Sequence, residues 1–431
     1  MGGKTKQQTR GTAMATEGTP EPLAWIQLQQ AFGALPAKDW RVSRLARHVR
    51  STPANVEAAI AHHRHRSASS ELSQARAQEA VVALLSRSTP TSEIAADCGY
   101  TSVSSLNKSL LQQTGLDSPA TRALRGANAF RLRLPAHFRV GETMAYLGRD
   151  PDSLNLRTTG VRAFAFGLSL DDQCVAVTCE FDSQSRSLSA QLQHRGTASA
   201  KVRERAPASA ARALQRMLGF SSATTELARS ARMNPLLRIL TGPRRGMRIP
   251  QTAAPIDALV WSILGQQINL PFAYQLLRTA TSLCGAPGPL GLFTMPLPAR
   301  LADTDPAEFT SRKMSRSKAR YLGDIAGAVT NQSLDLDALG TGPFAEAYAA
   351  LVAQRGIGPW TANYTLMRGL GFGDCAPLGD AGLRRALRRF FTLEEAPDDN
   401  EMAVLMERFA PYRSLATFHL WRGSDDALPQ A

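Results

Sequence analysis

The chain has too few cysteines, and too scattered, for a disulfide framework. Cys98, Cys174, Cys179, Cys284 and Cys375 are odd in number and form no four-ligand zinc or iron–sulfur pattern. Cys174 and Cys179 sit in an apolar, strand-like run and read as buried structural thiols. No apolar stretch reaches the roughly 18–20 residues of a membrane span. The early basic residues lack the apolar core of a signal peptide. Acidic residues are also in short supply. With 36 Asp and Glu against 50 Lys and Arg, the formal net charge is +14. Such an excess points to a polyanionic partner. The excess is uneven: +6 over residues 1–127, +10 over 128–254 and −2 over 255–431. The last third therefore has to hold an anion by local features rather than by net charge. Candidates are the basic run from Arg312 to Arg320 and the group Arg384, Arg385, Arg388 and Arg389.

What the chain does have is three textures in 431 residues. Residues 1–20 are polar and predict a disordered tail. Residues 22–126 are helical with turn punctuation, and two stretches, 42–63 and 91–112, read as helix–turn–helix around a long helix over about 71–87. Asn107 and Lys108 lie on the second helix of the second unit, which would enter a major groove. Residues 128–225 alternate or run apolar between Asp-rich turns and end in a helix over about 207–219, a small antiparallel α+β unit. Residues 226–254 read as a linker, with Pro, Gly and Arg crowded at 241–250. Residues 255–425 predict helix after helix. The fold class expected is multidomain and mainly α, with an all-α domain, a small antiparallel α+β domain and a second all-α domain.

The most informative stretch is Arg355-Gly356-Ile357-Gly358-Pro359-Trp360-Thr361-Ala362-Asn363-Tyr364, followed by Pro377-Leu378-Gly379-Asp380. A Gly-x-Gly between helices makes a tight hairpin, and Pro359 suits the first position of the next helix. Free N–H groups at such a start attract an anion, here a duplex phosphate. Asp380 follows as an isolated carboxylate before an Arg-rich helix. It can cap that helix, act on a substrate, or both.

This combination resembles the helix-hairpin-helix DNA glycosylase superfamily, in particular its 3-methyladenine DNA glycosylase II branch. The resemblance covers about 128–425 and includes Ile263-Leu264-Gly265-Gln266-Gln267-Ile268, the Lys318-Ala319 pair and Pro411-Tyr412-Arg413-Ser414-Leu415-Ala416. It implies N-glycosidic hydrolysis of alkylated bases in base excision repair, with Asp380 stabilising an oxocarbenium-like sugar. It implies a base pocket of Trp360, Tyr364, Tyr412 and Tyr146. DNA contacts would come from Gly356, Ile357, Gly358, Lys318 and the wedge candidates Gln266 and Gln267. Trp360 stands where members that also cut the backbone carry a lysine. An indole cannot form a Schiff base, so a monofunctional enzyme is implied. The partners implied are double-stranded DNA and a flipped alkylated base, with no membrane and a monomeric chain in a bacterial cytoplasm. No cofactor is implied beyond room for a monovalent ion at the hairpin carbonyls, and no metal site is readable. Residues 22–126 resemble the AraC-type DNA-binding domain, through Ile94-Ala95 and Gly99-Tyr100 and the later Gly115 and Pro119. The four-cysteine methyl-acceptor module of some alkylation-response proteins is missing. The alternative reading is an AraC-type regulator of the alkylation response with a weak or vestigial glycosylase part.

Overall fold

The computed structural model describes residues 23–423 apart from residue 197. The tail expected over 1–20 lies outside the described residues. From the N-terminus, helices occupy Trp25–Ala34, Val42–His48, Pro53–Arg64, Ala68–Ser86, Thr91–Asp97, Val103–Thr114 and Ser118–Ala123. Helices thus occur at both stretches read as helix–turn–helix. Their starts follow local chemistry. The Thr52 hydroxyl accepts from Asn55 N at 3.2 Å with Pro53 next. Ser102 and Ser105 form a reciprocal capping box. Gly99 turns the second pair at φ +77, where a Cβ would sit 2.9 Å from the Lys38 Cα. One small core gathers Trp25, Leu28, Leu45, Val56 and Ile60, and another gathers Leu84, Ile94, Leu106 and Leu110. The 19-residue helix Ala68–Ser86 contributes to both.

The middle unit is a five-stranded antiparallel sheet of β1 (Ala129–Arg133), β2 (Leu156–Gly160), β3 (Ala163–Leu170), β4 (Gln173–Phe181) and β5 (Ser187–Gln193). Strand order is β1-β5-β4-β3-β2. The helix Ala200–Met217 buries Val202, Ala206, Ala210 and Leu214 in the same core as Phe164, Val177 and Leu188 of the sheet. Leu116 and Leu124 from the preceding helical segment join that core, so the first two units share apolar burial. Against β3, the chain at 293 comes so close that a Cβ on Gly167 would lie 2.1 Å from the Phe293 carbonyl. Asn155 also donates to that carbonyl at 2.8 Å.

The stretch expected as a linker is instead largely helical, with Thr224–Met233 and Pro235–Thr241. The reason is Asn234: its side chain accepts from Leu236 N at 3.0 Å, so Pro235 begins a helix rather than ending one. Leu227, Ala231, Leu237 and Leu240 enter the core of the C-terminal helical domain. In that domain the helix that Pro359 begins is an α-helix, Pro359–Thr365, continued by a π turn, Leu366–Leu370, and closed by Gly371 at φ +80. The helix Arg413–Gly423 runs through the interior, with Ser414 through Leu420 all buried.

Candidate active site

The two glycines of the hairpin serve different ends. Gly356 has φ +84, and a Cβ there would meet the Tyr321 ring at 2.4 Å. Gly358 is extended, caps Pro359–Thr365, and has open space where a side chain would be. Ile357 between them is 5% exposed and part of the core, so only its backbone borders the surface. Gln266 closes the helix Pro255–Gly265, and its amide donates to Gly356 O at 2.8 Å and to Thr361 Oγ1 at 3.1 Å. It is a latch between that helix and the hairpin rather than a free wedge. A monovalent ion would have to share the Gly356 carbonyl with it. Gln267, the next residue, is exposed and left-handed at φ +56.

Asp380 caps Ala381–Phe390 and also faces two indoles. Its Oδ1 accepts from Leu383 N at 2.7 Å and from Trp421 Nε1 at 2.9 Å. Its Oδ2 accepts from Trp360 Nε1 at 3.2 Å. These three donors are neutral, so they orient the carboxylate without cancelling its charge. Trp360 stacks on Tyr364 with centroids 5.5 Å apart, and Tyr364 lies 6.2 Å from Trp421. Trp360, Asp380 and Trp421 are all half-buried. The hairpin thus delivers one indole, the loop after the π turn the carboxylate, and the interior helix the second indole.

Behind this front, Tyr364 is buried, which pushes its phenol pKa up. Tyr146, from the helix Val140–Leu147, is 8% exposed and does not present an open stacking face. The Arg149 guanidinium lies 3.6 Å from its ring centroid and that of Arg368 4.5 Å, with Phe418 edge-on at 5.5 Å. Arg368 sits on the π turn and donates to Pro250 O at 2.6 Å and to Tyr364 Oη at 3.4 Å. Tyr146 therefore supports Tyr364 from behind, by a side-chain hydrogen bond and through Arg368.

Tyr412 is placed elsewhere. Its hydroxyl is 2.9 Å from Ser230 Oγ, and it lines a cavity of about 270 Å³ with His65, Arg66, Glu226, Gln251 and Phe372. The second aromatic wall at Asp380 is Trp421, which the sequence reading did not single out. Lys318 is turned inward, 8% exposed, and its Nζ donates to Leu264 O at 2.7 Å. It caps the end of Pro255–Gly265, and burial lowers its pKa. Asn107 Oδ1 accepts from Ser118 N at 2.9 Å and from Ser118 Oγ at 2.8 Å, which ties two helices together, whereas Lys108 is exposed. Asp374, six residues before Asp380, makes a two-point pair with Arg413 at 2.8 and 2.7 Å.

Residues 260–411 match the family described as HhH-GPD superfamily base excision DNA repair protein. A DNA-3-methyladenine glycosylase of Bacillus subtilis is 33% identical over 195 residues, 44% of this chain and 64% of that protein. A Mycobacterium tuberculosis protein named "Probable bifunctional transcriptional activator/DNA repair enzyme AlkA" is 30% identical over 212 residues, 48% of this chain and 41% of that one. The chain thus spans less than two thirds of the length of these curated relatives. A solved 3-methyladenine DNA-glycosylase from Archaeoglobus fulgidus superposes with a TM-score of 0.59 at 21% identity, over 69% of this chain and 98% of that one. A Clostridium acetobutylicum 8-oxoguanine glycosylase/lyase solved with duplex DNA gives 0.52 at 13% identity, over 69% and 96%. Likeness at this identity speaks to fold alone, and the fold serves enzymes with and without lyase in their names. Residues 260–411 thus resemble the HhH-GPD family, and the chain has the fold that these solved DNA glycosylases share.

Proposed function

We propose that the chain is a monofunctional DNA glycosylase that hydrolyses the N-glycosidic bond of alkylated purines in duplex DNA. The observation that carries this reading is the Asp380 carboxylate held between the indole N–H groups of Trp360 and Trp421. As the bond breaks, the sugar gains positive charge, and a fixed carboxylate stabilises that charge without reorganising. The indoles offer flat, electron-rich faces for a cationic base by stacking and cation–π attraction. A purine alkylated at adenine N3 or guanine N7 already carries positive charge and leaves readily, so no general acid is needed beside it. Gln267, exposed at the end of the latch helix, fits the gap left by a flipped base. The open backbone at Gly358 fits a phosphate contact. Lys108 and its neighbours would let the N-terminal helices add DNA affinity, in the manner of an AraC-type segment.

The absence of lyase chemistry rests on Trp360 in place of a lysine and on the engagement of Lys318 with Leu264. The test is to incubate the purified chain with methylated duplex, identify the released bases, and add borohydride in parallel. Free 3-methyladenine or 7-methylguanine with no trapped protein–DNA adduct is the expected outcome. A trapped adduct would overturn the monofunctional reading, and no released base would overturn the activity.

A further inference from the structure

Three consecutive residues of the N-terminal segment, Arg64, His65 and Arg66, reach across to the C-terminal domain. They end the helix Pro53–Arg64 and begin the turn into Ala68–Ser86. Arg64 is 6% exposed. Its guanidinium donates to the carbonyls of Gly340 and Gly342 at the end of Leu336–Thr341, pairs with Glu71 at 3.1 Å, and lies 5.2 Å from the Phe372 ring. His65, left-handed at φ +52, packs on Phe344 at a tilt of 36° with centroids 4.2 Å apart and meets Phe372 edge-on at 6.3 Å. Arg66 donates to Gly371 O at 3.4 Å. A Cβ on Gly373 would stand 3.2 Å from the His65 carbonyl. The three residues therefore touch Gly371, Phe372 and Gly373, the start of the loop that ends at Asp380.

The other side of that loop is held by the helix that carries Trp421. The Ser414 hydroxyl donates to Phe372 O at 2.8 Å and accepts from Cys375 N at 2.9 Å, and Ser414 N donates to Gly373 O at 3.1 Å. The loop is thus clamped between an N-terminal bracket and the base of the helix bearing the second indole. We propose that Arg64 and His65 are positioning residues for Asp380, so that the N-terminal helical segment is a working part of the active site. This rests on Asp380 being the carboxylate of a glycosylase reaction. Residues 22–126 read from the sequence as a separable DNA-binding unit. The bracket makes them a support for the loop, whatever DNA they bind.

The test uses the full chain with Arg64→Ala, Arg64→Lys and His65→Ala. His65→Ala removes a ring contact without unpairing a buried charge, so it remains informative if Arg64→Ala folds poorly. Three quantities are read: hydrogen exchange of amides 371–380, duplex affinity, and single-turnover base release at saturating enzyme. Expected are faster exchange in that loop and base release slowed about fivefold in the alanine variants, the scale of remote positions in a coupled network. Duplex affinity should stay unchanged, and Arg64→Lys should recover part of the rate. Unchanged exchange and unchanged single-turnover rate in folded alanine variants would overturn the proposal. So would a loss confined to duplex affinity. If the wild-type chain releases no base, the reading of Asp380 fails, while exchange at 371–380 still decides whether the bracket holds the loop.

Discussion

Asp374 and Asp380 lie at opposite ends of one short loop and are held in opposite ways. Asp374 is buried, and its charge is spent on Arg413, which contacts it through Nε, Nη2 and the backbone N. Asp380 is half-buried, and its donors are two indoles and one backbone amide, all neutral. A carboxylate matched to a guanidinium has little field left for a ligand, and its worth is geometric. A carboxylate oriented by neutral donors keeps its field for whatever cation enters. The same residue type therefore reads as a strut at one end of the loop and as a reacting group at the other.

The comparison breaks most sharply by removing each charge in turn. Asp380→Asn keeps an N-capping oxygen but loses the charge, so base release should fall by roughly 100-fold or more in single-turnover assays, with duplex affinity retained. Asp374→Asn should leave the rate constant of folded protein within a few-fold. It should instead lower stability by about 2–3 kcal/mol, measured by denaturant unfolding, because Arg413 loses a charge-assisted partner in a confined place. Trp421→Phe sharpens the account of the Asp380 end. It keeps an aromatic face but removes the 2.9 Å donor. Base release should slow about tenfold, more than for Trp360→Phe, whose donor is at 3.2 Å. Equal rates for wild type and both phenylalanine variants would mean the indoles act by stacking alone.

A smaller effect tests the helix that joins the two ends. His419, buried on Arg413–Gly423, has its pKa lowered to about 3 by burial, then by Arg244 and Arg139. The folded value lies below the ordinary one, so the unfolded chain takes up a proton near pH 6.5 while the folded chain does not. The His419 contribution to stability is complete above that pH and is lost as pH falls toward 3. His419→Gln should flatten the acid limb of a stability-against-pH curve between pH 6 and 4.

Much of the Asp380 end was legible in the sequence. Gly356, Pro359 and the carboxylate at 380 are local signals, because a left-handed glycine, a helix start and an N-cap need only their neighbours. The helices from 255 to 409 carry apolar periodicity, which is why residues 255–425 predict helix after helix. Trp421 was not legible because Arg413–Gly423 is buried on nearly every side and has no polar stripe to mark it as a helix. Tyr412, one residue before that helix, is one of the four pocket aromatics that the resemblance implies, but the helix points Trp421 at Asp380. Lys318 and Gln266 are DNA contacts only as the resemblance implies them. Whether such a side chain faces out or caps a carbonyl is decided by partners at 264 and 356, distant in sequence. The bracket of Arg64 and His65 was invisible for the same reason, since its partners lie some 280 to 310 positions away.

The most direct test of the central claim is single-turnover release of 3-methyladenine from methylated duplex by Asp380→Asn and Asp374→Asn side by side, each shown to be folded and to bind DNA. The account predicts a loss of roughly 100-fold or more for the first and a near-normal rate for the second. Comparable rates for Asp380→Asn and wild type, or equal losses in the two variants, would contradict it.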